Sequence, residues 1–111
     1  MPASLISEAS ARSALGATRI LLAEQGLDRV SVDWHNGVSR IGMTHFRRGK
    51  SFLITYSSKL WPHLPYEMRL DVIAHEVAHA TLPYGHDHNS VWLRKCLELG
   101  GNGNPTDAVP D

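Results

Sequence analysis

Asp71-Val72-Ile73-Ala74-His75-Glu76-Val77-Ala78-His79-Ala80 decides how the rest of the chain is read. On an α-helix, residues four apart lie ~40° apart around the axis, so His75 and His79 project together. Two imidazoles so placed reach one Zn²⁺ at ~2.0–2.1 Å. Glu76 is turned ~100° from His75. It stands beside such an ion rather than on it, where a carboxylate suits taking a proton from metal-activated water. Ile73, Val77 and Ala80 cover the back of the helix, and more histidines follow at once. That context favours a metal clasp over two unrelated histidines.

A catalytic zinc site needs a third protein ligand and keeps one position open. The candidates stand in Tyr84-Gly85-His86-Asp87-His88, after Pro83 and Gly85 break the helix and let the loop fold back. The metzincin pattern H-E-x-x-H-x-x-G-x-x-H requires glycine at position 82 and histidine at 85, where this chain has Leu82 and Gly85. His86 and His88 remain, with Asp87 third because carboxylates also bind zinc.

Outward from this helix the pattern is that of a small α+β domain. Residues 4–26 read as an amphipathic helix with Ile6, Ala9, Ala17, Ile20 and Leu21 in one stripe and Gly26 as its stop. Leu15 and Leu22 fall toward the polar side, which suggests cover on more than one face. Val30, Val32 and Trp34 alternate in a first strand. Asn36-Gly37 then favours a tight hairpin turn. A second strand is expected over about 38–46, a turn at Arg47-Arg48-Gly49-Lys50, and a third strand through Phe52, Ile54 and Tyr56. Together these predict a three-stranded antiparallel meander. Pro65 suits the first position of the metal helix, which should end near Leu82. A C-terminal helix runs from an Asn89 or Ser90 cap to Leu99, with Gly100-Gly101 as its stop.

The 111 residues carry eleven basic and eleven acidic side chains, so no global charge announces a nucleic-acid, membrane or acidic partner. The lone Cys96 excludes an internal disulfide and a four-thiolate zinc site. No apolar run approaches the ~18 residues of a membrane span. No export signal is visible at the amino terminus, which makes the cytoplasm the expected compartment.

His75-Glu76-Val77-Ala78-His79-Ala80, a short loop, then His88-Asn89-Ser90-Val91-Trp92 and a helix ending Leu99-Gly100 resembles the SprT-like zinc metalloprotease domain. In that family H-E-x-x-H-A is followed by H-G-x-x-F or H-G-x-x-W, whose histidine is the third ligand. Ile54-Thr55-Tyr56-Ser57-Ser58-Lys59-Leu60 also looks like the strand and exit that precede the metal helix. The resemblance implies a small zincin-like fold over residues 1–101, and the Gly, Asn and Pro content beyond it predicts an irregular tail over 102–111. It implies His75, His79 and His88 as zinc ligands and Glu76 as the catalytic base. Asn89 stands where the family has glycine, and asparagine tolerates a left-handed backbone better than most residues. Many members continue into a cysteine-rich zinc ribbon; with Cys96 the one cysteine in these 111 residues, the expected form is a minimal one.

The expected function is therefore a zinc-dependent endopeptidase acting on a protein or peptide, with Glu76 as general base. The alternative is a zinc-bearing binding or accessory module with little proteolytic activity. A peptide is expected to add along an exposed strand, with Phe52 to Tyr56 as template, and the hydroxyl of Tyr84 or Tyr56 to face the oxyanion. Asp71, one turn before His75, is a candidate to orient an imidazole, against the plainer reading of a solvent-facing carboxylate. His86 reads as a spare loop histidine, and His35, His45 and His63 lack ligand spacing. Arg40, Arg47, Arg48, Lys50 and Lys59 gather around the second and third strands. They read as a weak DNA contact through Arg40, Arg47, Arg48 and Lys50, or as a charged hairpin guarding a sheet edge.

Overall fold

The computed structural model describes residues 13–105. Among these the elements run α1 (Ala14–Glu24), β1 (Ser31–His35), β2 (Gly42–Arg47), β3 (Lys50–Ser57), a 3₁₀ turn (Trp61–His63), α2 (Tyr66–Ala80) and α3 (Ser90–Glu98). The fold is α+β. No helix among the described residues is long and apolar enough to cross a membrane.

The predicted first helix appears as α1; its expected start, with Ile6 and Ala9, lies outside the described residues. Its buried face is Ala14, Ala17, Thr18, Leu21 and Leu22, while Ile20 is 48% exposed. The apolar stripe is thus turned toward Leu22, because α1 packs against both α2 and β1. Gly26 ends the helix at φ +71°; its N–H reaches the Ala23 carbonyl and the Leu27 N–H that of Leu22. This is a Schellman close, which needs the left-handed residue that glycine supplies.

The sheet corrects the expected antiparallel meander. Strand order is β1-β3-β2, with β1 parallel to β3 and β2 antiparallel to it. Asn36-Gly37 does not close a hairpin between β1 and β2. The end of β3 takes the polar groups such a hairpin would use. Ser57 donates from its backbone to the Ile41 carbonyl and from its hydroxyl to that of Gly37, and the Ser58 N–H reaches His35. Alternation of apolar residues is the same for parallel and antiparallel pairing, so the sequence pattern left the topology undetermined. The second expected turn forms: Arg48 and Gly49 have φ +53° and +81° between the paired Arg47 and Lys50. Both central residues of this two-residue loop lie in the left-handed region, as a type I′ turn demands.

Because β3 is the middle strand, both edges of its Leu53–Tyr56 stretch face a neighbouring strand and have nothing to offer a peptide. The expected Phe52–Tyr56 template is therefore overturned. Among the described strands, the one beside α2 that ends the sheet is β2.

α1 and α2 share the core with the inner face of the sheet. Leu21, Leu22, Ile41, Ile54, Ile73 and Val77 are essentially inaccessible to solvent. Tyr56 is fully buried among them and donates its hydroxyl to Thr18 Oγ1 at 2.7 Å, while Thr18 donates to the Ala14 carbonyl at 2.7 Å. Burial holds the Tyr56 phenol well above its ordinary range. Its hydroxyl belongs to the core rather than to a reaction site. Ser51 Oγ donates to the Ala80 carbonyl at 2.8 Å and pins the end of α2 to the β2–β3 hairpin. α2 thus lies fixed across the sheet with its histidines toward the β2 edge.

Candidate metal centre

α2 begins after Pro65, which caps the helix in extended backbone rather than opening it, and ends at Ala80, two residues before the expected Leu82. His75 and His79 project together from it, as the four-residue spacing requires. The chain leaves through Pro83, and the Tyr84 N–H donates to the Gly49 carbonyl at 3.0 Å. It then turns back through Gly85 and Asp87, which have φ +108° and +53°. That reversal delivers His88 to the helical pair.

The three rings converge. His88 Nε2 lies 3.1 Å from His79 Nε2 and 3.2 Å from His75 Nε2. The ligand atoms of all three residues fall within 4.8 Å of one another. Two imidazoles on a tetrahedral zinc at ~2.0–2.1 Å stand with their nitrogens ~3.3 Å apart. His75 Nδ1 faces the Asn104 carbonyl at 3.2 Å; a carbonyl only accepts, so this nitrogen carries the proton and Nε2 holds the lone pair. Nitrogens this close repel through their lone pairs unless a shared proton or a cation lies between them. The donor set therefore fits a zinc ion by chemistry and by spacing.

Burial sharpens this. His75 is buried, His79 half-buried, and His88 exposed although its Nε2 turns inward. Burial first, then the neighbouring His75 and His88, pushes the His79 imidazole down to about 3. It stays neutral at ordinary pH, as a metal ligand must be.

Trp92 forms the floor. It is 1% exposed, lies nearly parallel to His79 at 5.4 Å between centroids, and meets His75 and His88 edge-on at 4.8 and 4.7 Å. Its Nε1 donates to the His75 carbonyl at 3.2 Å. α3 carries this ring, and Asn89 starts α3 by accepting from the Val91 and Trp92 N–H groups at 3.1 Å each. Asn89 has an extended backbone, φ −75° and ψ −176°. The expectation that it replaces glycine in a left-handed turn is corrected: Gly85 and Asp87 make the turn, and Asn89 is the helix cap. Asn89→Ala is expected to lower stability by ~1 kcal/mol, measured by denaturant unfolding of the metal-free protein.

Glu76 is 2% exposed. Its Oε2 lies 3.9 Å from His75 Nε2, beside the cluster rather than within it. Thr44 Oγ1 stands 2.9 Å from both Glu76 Oε1 and the Glu76 carbonyl. Gly42 lets the carboxylate approach β2, since a Cβ there would come within 3.0 Å of Glu76 Cγ and Oε2. Sequence reasoning missed both residues. A glycine at the start of a strand signals close approach by another group, but nothing in the sequence named Glu76 as that group.

The cluster opens into a cleft of about 260 Å³ lined by Gly42, Met43, Thr44 and Phe46 of β2, the histidine triad, Glu76 and the loop from Leu82 to Asp87. Tyr84 lies on its rim, 74% exposed and edge-on to Phe46 at 5.4 Å. His86 stays outside the triad, its Nδ1 3.2 Å from Asn89 Nδ2. Asp71 Oδ2 accepts from Asn102 Nδ2 at 3.0 Å, so the acceptor that faces His75 Nδ1 is the Asn104 carbonyl instead. Burial pushes the Asp71 carboxyl up, against the hydrogen bond from Asn102.

The remaining histidines lie elsewhere. His35 Nδ1 and His45 Nε2 share Thr55 Oγ1 at 2.8 and 2.9 Å, and burial with His35 nearby lowers His45. The basic cluster separates along the sheet. Arg47, Arg48 and Lys50 sit at the hairpin, with the Arg47 guanidinium 4.4 Å from the Phe52 ring centre. Lys59 follows the far end of β3, and Arg40 lines the cleft.

A helical H-E-x-x-H clasp and a returning third histidine form a three-imidazole cluster able to hold a metal ion, with a buried glutamate adjacent. The chain belongs to the SprT-like family, whose model matches residues 15–109. No curated protein and no solved structure matches the chain.

Proposed function

We propose that this protein is a zinc-dependent endopeptidase in which His75, His79 and His88 hold Zn²⁺ and Glu76 is the general base. The observation that carries the reading is the convergence of three Nε2 atoms beside a buried carboxylate, at the head of a cleft. A zinc ion held there supplies Lewis acidity, polarising a carbonyl and making water acidic enough to lose a proton near neutral pH. Glu76 takes that proton and returns it to the leaving amine. Thr44 holds Oε1 of the carboxylate, while Oε2 stands 3.9 Å from His75 Nε2. Membership of the SprT-like family supports a metallopeptidase-like role.

β2, at one side of the sheet, runs along the cleft, and its backbone from Met43 to Phe46 can receive an extended peptide as an added strand. Tyr84, on the rim, is the hydroxyl available to a developing oxyanion. The deciding experiment incubates purified, zinc-loaded protein with an unstructured polypeptide such as casein and follows new termini by mass spectrometry. Cleavage that stops with a chelator and returns with zinc supports the reading. A fully loaded protein that cuts nothing sinks it in favour of a zinc-bearing accessory module.

Gly42 gives a second handle. Gly42→Ala places a methyl against the Glu76 carboxylate and is expected to slow cleavage about tenfold or more while the zinc content stays at one per chain. The magnitude follows from the sensitivity of general bases to small displacements. Unchanged turnover would show that Glu76 has room to move without effect.

A further inference from the structure

We propose that residues 101–105 form a strap that positions His75, with Asp71 and Asn102 acting through it. The proposal rests on the metal-centre reading above but not on catalysis. The C-terminal end of α3 begins the strap. Gly100, at φ +96°, donates to the Leu97 carbonyl, and Gly101 donates to that of Cys96 at 2.9 Å. This Schellman close turns the chain back toward α2. Glycine is required where it passes closest. A Cβ on Gly101 would come within 2.7 Å of Cys96 Sγ and 2.9 Å of Ala74 Cβ. One on Gly103, at φ +76°, would come within 2.6 Å of Leu93 Cδ1.

The hydrogen bonds then run in series. Asp71 Oδ2 accepts from Asn102 Nδ2 at 3.0 Å, Asn102 Oδ1 accepts from the Asn104 N–H at 2.8 Å, and the Asn104 carbonyl accepts from His75 Nδ1 at 3.2 Å. A carboxylate one helical turn before His75 thus anchors an amide, the amide anchors Asn104 through its N–H, and the carbonyl of Asn104, in the next peptide unit, fixes the imidazole. The result is one tautomer and one ring orientation, with the Nε2 lone pair aimed at His88 and His79. Asp71 and Asn102 are positioning residues: they touch neither metal nor substrate.

The test uses a charge clash and its repair. Asn102→Asp keeps the acceptor for the Asn104 N–H but sets two carboxylates against each other at the Asp71 contact. The double variant Asp71→Asn, Asn102→Asp exchanges donor and acceptor and restores that contact. Two readouts are taken on each folded protein. One is the His75 tautomer in the metal-free state, from long-range ¹H–¹⁵N spectra; the other is Zn²⁺ affinity by competition with a chromogenic chelator. Asn102→Asp is expected to shift His75 away from the pure Nδ1–H form and to weaken zinc binding about tenfold, the lower end for groups that orient metal ligands. The double variant is expected to recover both.

An unchanged tautomer and affinity in Asn102→Asp overturns the strap. So does a folded double variant that stays weak. Should Asn102→Asp fail to fold, the double variant decides alone, since recovery of the parent tautomer and affinity requires the exchanged contact. Neither readout involves cleavage: a loaded parent that cuts nothing sinks the peptidase reading and leaves the strap standing. An unchanged tautomer does the reverse.

Discussion

Glu76→Gln is expected to lower peptide-bond cleavage by ~10²–10⁴-fold without releasing the metal, the range over which a positioned general base acts. The substitution is nearly isosteric in a site that is 2% exposed, so shape is kept. The glutamine oxygen can still accept from Thr44, 2.9 Å away in the parent. What disappears is a basic carboxylate beside the cluster. The histidine cluster, His75, His79 and His88, is untouched. Turnover on casein and zinc content by elemental analysis, measured on one preparation, separate the two roles. Cleavage at the parent rate in Glu76→Gln would falsify the assignment of the base, whatever the metal content.

His79→Ala is expected to have the largest effect on metal binding and on stability in its presence. Two imidazoles, one of them exposed, are left where zinc sites need at least three protein ligands. In the parent, zinc at a thousandfold excess over its Kd adds ~4 kcal/mol of stability by mass action. For a domain of this size each kcal/mol moves Tm by ~4–8 °C. Zinc should therefore raise the melting temperature of the parent by more than ~10 °C, and that of His79→Ala hardly at all. A variant that still binds one zinc with the parent's affinity would remove His79 from the site.

The same residue sets a pH dependence in the metal-free protein. The folded-state value of His79 is depressed to about 3 from the ordinary 6.5. Above 6.5 the ring is neutral folded or unfolded, and its contribution to stability is fully present. As pH falls from 6.5 toward 3, the unfolded chain takes up a proton that the folded site refuses, and stability is lost. His79→Ala should flatten that part of the curve, seen as a smaller fall in denaturation midpoint between pH 6.5 and 4.5.

Much of this was legible in the sequence. The helical clasp follows from a period of 3.6 residues, which puts His75, His79 and the offset Glu76 in fixed angular relation whatever surrounds them. Pro83 and Gly85 announce the break that lets a third histidine return. Spacing alone left His86, Asp87 and His88 open; the similarity of His88-Asn89-Ser90-Val91-Trp92 to the family pattern selected His88, and the ring triad is built on it. Other features depended on partners far along the chain. Gly42 and Thr44 meet Glu76 across more than thirty positions, and Asn104 reaches His75 across twenty-nine. No local pattern encodes such pairs.

By itself the sequence determined the helices, the Arg48-Gly49 turn and the angular placement of the His75–Glu76–His79 side chains, because these depend on local backbone geometry and on residues a few positions apart. Strand order was decided only by tertiary structure. Parallel and antiparallel pairing bury the same alternating residues, and the choice fell to Ser57 and Ser58 capturing the carbonyls near Asn36-Gly37. Packing also placed β2 at the edge of the cleft and drew the Gly-Asn segment after α3 back to His75, since such contacts arise only when distant segments share one core.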